Sequence, residues 1–480
     1  MSSEYHSKIA IIGGGILGAS IAYFLCSLGF PSASQRSSNV VLLEQEKNVS
    51  LHASSRNTGK VHAPFLYDPA NKKLFAKAAF LGFDMLKKYC VLKSLPFRQD
   101  GVLEVATYEK GIDRLHKHLE WGYSNGLQKN ELKFLNKNDV QDLEPNVTCL
   151  AGIYCSKDGS IDYGAVTRQV AEDAIRFGCI LLTDSKVVRI VRDDDGARNG
   201  HITLYTHNGK TIMTQYLINT AGGNAVDIAH ATGLAKEYTD LHFRGEYWQA
   251  PPEYYDLTKK SIYTVPKYPE YPFLDPHWIL RVDGRREIGP NAVPVFSPYA
   301  YDCNTNLKYM ISKIFESSRT GAWKIFLDRE FLSLANDELK SSLSKKVMIN
   351  RAREFLPQLR PSAFRERGTA GIRSSLVNKS GKFVDDTLII KNEYSLHVLN
   401  YNSPGATGAL PIAALIVNGL VEEGIISLLP GSPSHLLSNP GGTIDDKGPV
   451  WDIAAISENL EGPSQSLQHD GDTMIDDNTA

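Results

Sequence analysis

Three glycines at positions 13, 15 and 18, in the run IAIIGGGILGAS (residues 9–20), have the spacing G-x-G-x-x-G. Between a buried strand and a helix, that spacing serves phosphate binding. Gly13 permits a tight turn, Gly15 lets a pyrophosphate lie on the backbone, and Gly18 lets helix and strand pack closely. Ile16 and Leu17, the first helical residues, then offer backbone N–H groups and the positive end of the helix dipole to the phosphates. Glu44 closes a second apolar run, VVLLE at 40–44, where a carboxylate accepts a ribose hydroxyl. It lies further from the glycines than the usual ~20 residues. The polar stretch PSASQRSSN (31–39) accounts for the excess as a surface insertion.

The elements that must position these residues follow from periodicity. Residues 8–12 form a short apolar strand. Ile16, Leu17, Ile21, Phe24, Leu25 and Leu28 recur at helical spacing over 16–28, and 40–44 is a second strand. The unit is β-α-β, the building block of a parallel sheet. Helix is expected over 71–93, strand over 101–107, charged helical material over 109–144, and helix over 163–178 closed by Gly178. A strand meander then ends in LINTAGG. From 241 to 297, aromatics, prolines and alternating strands predict a second, mainly antiparallel unit. Residues 305–357 look helical, and HVLNYNSPGATGALPIAALIVNGLVEEG (397–424) returns to strand, glycine-rich turn and helix.

Composition narrows the function classes. The 480 residues are 42% hydrophobic and 22% charged, with a formal net charge of −2 and no long basic run, which argues against nucleic acid as a partner. Six cysteines are scattered without a C-x-x-C pair, as expected for reduced thiols in a cytoplasmic setting rather than a disulfide frame or metal site. A mitochondrial location is the less favoured expectation, because few residues precede the first strand. The apolar run at 408–420 is shorter than the ~20 residues a membrane span needs, and it reads as a buried helix.

Three further segments suit a long cofactor: HASSRNTGKVHAPFLYDP (52–69), LINTAGGNA (217–225) and NYNSPGATGALP (400–411). The glycine motif alone also suits NAD. With these segments, and with RNTGKVHAPFLYDP, FRGEYW (243–248), IYTVP (262–266), DGRREIGPNAVPVF (283–296) and AGIRSS…GKFVDDTLI…HVLNYNSPGATGAL, the chain resembles a flavoprotein family. That family includes D-amino acid oxidase, sarcosine oxidase and glycerol-3-phosphate dehydrogenase. The likeness extends to about residue 428 and is nearest to the members that oxidise L-2-hydroxyglutarate. The sequence departs from the family at VHAPFLY, at FLDPHWILRVDG with His277 and Trp278, and over 305–357, all on the substrate side.

The resemblance implies an α/β fold in which a Rossmann-like FAD-binding domain is interleaved with an α+β, mainly antiparallel substrate domain. The FAD-binding parts are expected at 1–95, 151–240 and 363–430, the substrate parts at 96–150 and 241–362, and a disordered tail at 431–480. It implies a dehydrogenase that oxidises a small 2-hydroxy acid to the 2-oxo acid. The alternative is an amine or amino acid oxidase of the same fold using oxygen. The electron acceptor stays open between oxygen and a quinone. FAD is expected to be non-covalent, since no cysteine stands out as an anchor. Besides the glycine turn, Ser54, Ser55, Asn57, Thr58, Gly59, Val188, Ala221, Gly222, Gly405, Ala406 and Thr407 are expected at the cofactor. His62, whose imidazole titrates near neutrality, is the expected base. His277 is its rival, Arg373 in GIRSS is the carboxylate fork, and Tyr263, Arg244 and Asn291 are supporting residues.

Overall fold

The computed structural model describes residues 4–28, 38–193, 200–268, 271, 275–302, 307–426, 444–445, 448–449 and 451–461. The chain opens with β1 (Glu4–Ile12), α1 (Ile16–Ser27) and β2 (Val40–Leu43), then β3 (Lys60–Val61), α2 (Lys73–Leu92), β4 (Phe97–Arg98), β5 (Val102–Ala106) and α3 (Glu109–Ser124). There follow β6 (Leu132–Asn136), α4 (Lys137–Leu143), β7 (Ala151–Cys155), β8 (Gly159–Ile161), α5 (Tyr163–Arg176), β9 (Ile180–Leu182), β10 (Val187–Asp193), β11 (His201–Thr206) and β12 (Thr211–Asn219). The middle holds α6 (Ala225–Ala231), β13 (Thr239–Gly245), β14 (Trp248–Gln249), β15 (Ser261–Thr264), β16 (His277–Leu280), β17 (Arg286–Gly289), β18 (Val293–Val295), α7 (Leu307–Thr320), α8 (Arg329–Leu343) and α9 (Lys345–Ala352). Last come β19 (Glu366–Arg367), β20 (Gly371–Val377), β21 (Leu388–Lys391), β22 (Ser395–Leu399), α10 (Ala409–Glu422) and, beyond two further short strands, α11 (Ile453–Glu461).

Two large sheets divide the work. In the first, β12, β1, β2 and β9 run parallel in that order, β22 joins β12 in parallel, and β10, β11 and β21 add antiparallel edges. Helix α1 is buried along all but its last residue, packed with α5 and α10 in one apolar core, which explains its lack of a polar face. The second sheet has the order β19-β14-β17-β16-β15-β5-β7-β6 and is antiparallel except where β15 meets β5. A third sheet, β18-β13-β20, stands beside it, with β13 and β20 paired from Thr239↔Val377 to Gly245↔Gly371.

Strand pairing moves two expected borders. β7 lies past residue 150 yet sits between β5 and β6 in the second sheet. β20 lies past residue 363 yet pairs with β13, so the first sheet is re-entered only at β21. The stretch 109–144 is not one helical piece. β6 interrupts it, and the Asn136 side chain accepts the N–H groups of Asn138 and Asp139 to start α4 afresh. The expected disorder after 431 fails at 451–461. There α11 buries Ile453, Ile456 and Leu460, and Trp451 is buried beside it, in the core shared with α10 and α2. Apolar spacing of three and four residues inside a Gly/Ser/Pro/Asp-rich stretch is the cause. Apart from the short antiparallel pair at 444–445 and 448–449, the rest of that tail and the loop at 29–37 lie outside the described residues.

Candidate active site

The glycine turn is built as its spacing requires. Gly13 has φ +112°, and a Cβ there would lie 2.4 Å from the Thr220 carbonyl oxygen. A Cβ on Gly18 would lie 2.0 Å from the Gly13 carbonyl oxygen, so only glycine lets α1 sit this close to the end of β1. Gly15 starts α1 with no side-chain cap and no acid in the first turn, which leaves N–H groups there for an anion. Ser54 Oγ accepts the Ile16 N–H at 2.9 Å. Glu44 accepts from the N–H groups of Gly14 (2.8 Å) and Glu46 (2.9 Å), and burial pushes its carboxyl above the usual range. Each carboxylate oxygen keeps a lone pair for a ribose hydroxyl.

From this turn a single cavity runs to the second and third sheets. Its lining includes Ile16, Ser54, Asn57, Thr58, Gly222, Ala406 and Thr407, and with them Lys60, His62, Tyr263, His277, Asn291 and Arg373. Gly222 has φ +56°, and a Cβ there would meet nothing within 4 Å, so the backbone is open to a ligand. A helix N-terminus whose first residue, Gly15, has no side chain to cap it, small residues along the wall and a cavity that continues from them together fit an extended dinucleotide.

Not every expected residue reaches this cavity. Ser55 is exposed, its hydroxyl turned to the His52 carbonyl. Gly59 is a glycine because a Cβ there would lie 2.8 Å from the Ile161 carbonyl oxygen in β8. Gly405 is turned toward Asn402 and Tyr401, where a Cβ would lie 2.5 Å from the Asn402 carbonyl oxygen. Val188 falls at a bulge in the β10–β11 pairing and is 59% exposed, and Ala221 packs partly buried under the first sheet. Leu17 is buried in α1. Arg244 is the clearest correction. It lies opposite Ile372 in the β13–β20 pairing but does not line the cavity. Its guanidinium bonds Glu246 Oε1 (2.8 Å) and the Ala300 carbonyl (3.1 Å). Asn291 does line the cavity, but its amide is engaged with Glu246: Oδ1 accepts the backbone N–H at 2.8 Å and Nδ2 donates to Oε2 at 3.1 Å.

Part of the cavity wall is marked by polar atoms with no hydrogen-bond partner among the described residues. His62 Nδ1, Tyr263 Oη and both ring nitrogens of His277 are buried and form no hydrogen bond. Buried polar atoms are nearly always bonded, and each left alone costs about 1–3 kcal/mol. Four around one cavity point to a ligand that bonds them. The rings of Tyr263 and His277 are 4.2 Å apart between centroids, and those of His62 and Tyr263 6.2 Å. The His62 backbone is pinned: its N–H donates to Thr407 Oγ1 at 3.1 Å, which in turn lies 2.9 Å from Tyr163 Oη. Arg373 is half-buried on the cavity wall, burial lowers its pKa, and the phenols of Tyr247 and Tyr67 lie near enough to act on its charge.

Sequence reasoning missed Lys60 and Tyr247. Lys60 is two residues before His62, on the same side of an extended segment, so the period-2 rule would have found it. Its amino group is buried 3.0 Å from Asp158 and 3.4 Å from Asp100. Tyr247 follows the Arg244 position in FRGEYW, where charge rather than alternation guided the choice.

Both histidines are held neutral. Burial, with the charges of Lys60 and Arg373, lowers His62 to about 3. Burial, with His62, Arg351 and Arg373, lowers His277 to about 3. Between pH 6.5 and about 3 the unfolded chain therefore binds protons that the folded chain refuses, and stability falls as pH falls through that window. Acidification from pH 7 to 5 is expected to remove about 2 kcal/mol per histidine, at ~1.4 kcal/mol per pH unit below 6.5. Denaturant titrations at pH 7, 6 and 5 measure this. A His277→Gln chain with the same pH slope as the wild type would contradict it.

Cavity, turn and two-sheet frame define a dinucleotide-dependent oxidoreductase, and residues 8–418 match the family described as "DAO: FAD dependent oxidoreductase". The chain belongs to that family, and FAD is its cofactor. The L-2-hydroxyglutarate dehydrogenase of Indibacter alkaliphilus is 30% identical over 416 residues, covering 85% of this chain and 97% of that one. The human "L-2-hydroxyglutarate dehydrogenase, mitochondrial" is 30% identical over 435 residues, covering 86% and 89%. Among solved structures, FAD-bound, dithionite-reduced L-alpha-glycerophosphate oxidase from Mycoplasma pneumoniae shares the fold. Its TM-score is 0.66 at 19% identity, over 85% of this chain and 93% of that one. Among the described residues no helix is long and apolar enough to cross a membrane, and no cluster of His, Cys, Asp or Glu is placed to hold a metal.

Proposed function

We propose that the chain oxidises a small 2-hydroxy acid, L-2-hydroxyglutarate foremost, to the 2-oxo acid. The carrying observation is the set of unbonded polar atoms of His62, Tyr263 and His277 in one cavity with Arg373. Bound FAD supplies the hydride acceptor at its N5 position. Arg373 grips the substrate carboxylate through its planar fork and orients the C2–H bond. His62 accepts the hydroxyl proton at Nδ1. Tyr263 donates to a substrate oxygen, and its phenol stays protonated because burial pushes its pKa well up.

The same charges speak for a hydroxyl over an amine. Lys60 and Arg373 both act on His62. An ammonium placed beside them would be repelled, whereas an anion offsets them. A carboxylate at Arg373 also cancels one of the charges that depress His62, so the base strengthens when substrate binds. The relatives' names supply the diacid, and they support that substrate over a monoacid.

The test is anaerobic mixing of the purified yellow protein with a panel of 2-hydroxy acids and amino acids, watching flavin absorbance. Rapid bleaching by L-2-hydroxyglutarate, and not by its D-enantiomer or by amino acids, is the expected result. Bleaching by an amino acid with ammonia release would overturn the proposal in favour of an oxidase.

A further inference from the structure

Residues 297–302 leave the third sheet at β18, yet their side chains reach across to the cofactor side. Tyr299 Oη lies 2.9 Å from Gln45 Oε1 and 2.9 Å from Asn224 Oδ1. Tyr301 Oη lies 3.0 Å from His52 Nδ1, and His52 Nε2 lies 2.9 Å from Glu46 Oε1. The Tyr301 ring stacks on His52 with centroids 5.8 Å apart, and Arg56 Cζ stands 4.3 Å from its centre. Pro298 sits so close to Gly223 that a Cβ on that glycine would lie 2.6 Å from the proline Cβ.

The places where this segment lands are the two walls of the nucleotide slot. Ala53, Ser54 and Arg56 line the cavity on one wall, Gly222 and Gly223 on the other. The glycine turn touches both. Ser54 accepts the Ile16 N–H at the start of α1, and the Thr220 carbonyl lies against Gly13. A segment bonded to both walls therefore bridges the slot beside the place where the turn holds a pyrophosphate. The bridge is also fixed from behind. Buried Arg244 donates to the Ala300 carbonyl at 3.1 Å and is itself held by Glu246 at 2.8 Å. Ser297 Oγ accepts the Tyr299 N–H at 3.2 Å. Arg244, which does not line the cavity, thus acts on it through Ala300.

We propose that residues 297–302 are a strap that retains FAD, with Tyr299 and Tyr301 as its latches and Arg244 as its anchor. FAD enters and leaves when the latches part. The inference rests on FAD as the cofactor and is independent of the substrate. The test is the rate of FAD release from the purified holoenzyme after dilution. It is read as the rise in flavin fluorescence with a phosphodiesterase present to destroy released FAD. Uptake is read by mixing FAD with the apoprotein. Tyr299→Phe/Tyr301→Phe removes two hydroxyls and keeps both rings. It is expected to release FAD about tenfold faster, as losing two hydrogen bonds from the closed form implies. Uptake is expected to quicken too, since a loosened strap opens more often in both directions. Neither tyrosine lines the cavity, so the absorbance of bound flavin should stay unchanged and reports an intact site. Tyr299→Ala/Tyr301→Ala, which removes the stacked ring as well, should release faster still. Release no faster than the wild type in both variants would overturn the proposal. So would faster release without faster uptake, which would make the tyrosines part of the binding surface and not its closure.

Discussion

His62→Gln is expected to slow substrate-driven flavin reduction by about 10²–10⁴-fold, the usual contribution of a positioned base, with bound FAD unchanged. The expectation rests on position and protonation together. His62 Nδ1 is buried and unbonded at the cavity, and the ring is neutral far below physiological pH. Glutamine keeps a polar side chain of similar reach but cannot take up a proton at this pH. The loss should fall on the limiting rate and leave substrate affinity within a fewfold, since the carboxylate grip lies elsewhere. Stopped-flow bleaching under nitrogen separates the two. A His62→Gln protein that bleaches as fast as the wild type removes the assignment. A large loss in His277→Gln with none in His62→Gln would transfer it to the neighbouring ring.

The parts of this site legible in sequence are those in which one local rule suffices. The glycine turn was legible because Gly13 and Gly18 are fixed by backbone contact over a few residues, and because β1, α1 and β2 carry unambiguous periods. Glu44 was legible as the acid that ends a strand. The polar part of the cavity lining was harder, since His62, Tyr263, His277 and Arg373 come from four different strands or their ends, brought together by pairings such as Phe243↔Arg373 and His277↔Gly289 that no local pattern encodes. Arg244 shows the failure clearly. As a charged residue on a strand of the substrate domain it looked fit to bind a carboxylate, yet an acid two residues along, Glu246, already holds it. Gly405 and Gly59 show a second failure. Small residues near a cofactor segment can be small for the backbone's sake, and only the neighbouring carbonyls reveal which. α11 shows a third: a segment's average composition concealed a spaced trio of apolar residues that completes the core over α10.

Arg373→Met is expected to weaken substrate binding by about 10²–10³-fold, as losing one member of a buried, charge-assisted pair does. β20 holds this arginine on the cavity wall, where burial already disfavours its charge. A bound carboxylate relieves that penalty, so the fork gives up more on losing its ligand than an exposed arginine would. Arg373→Lys keeps the charge and loses the planar fork, so an intermediate loss is expected. The substitution has a second consequence that a merely structural role would not produce. Arg373 is one of the charges that depress both His62 and His277. In Arg373→Met both imidazoles are expected to titrate at higher pH, so the acid-driven loss of stability should level off at a higher pH than in the wild type. Substrate titrations of the flavin spectrum read the first effect, and imidazole proton resonances followed against pH read the second. Unchanged substrate affinity in the methionine variant would move the carboxylate site away from Arg373. Unchanged histidine titration would mean that its charge does not reach the base.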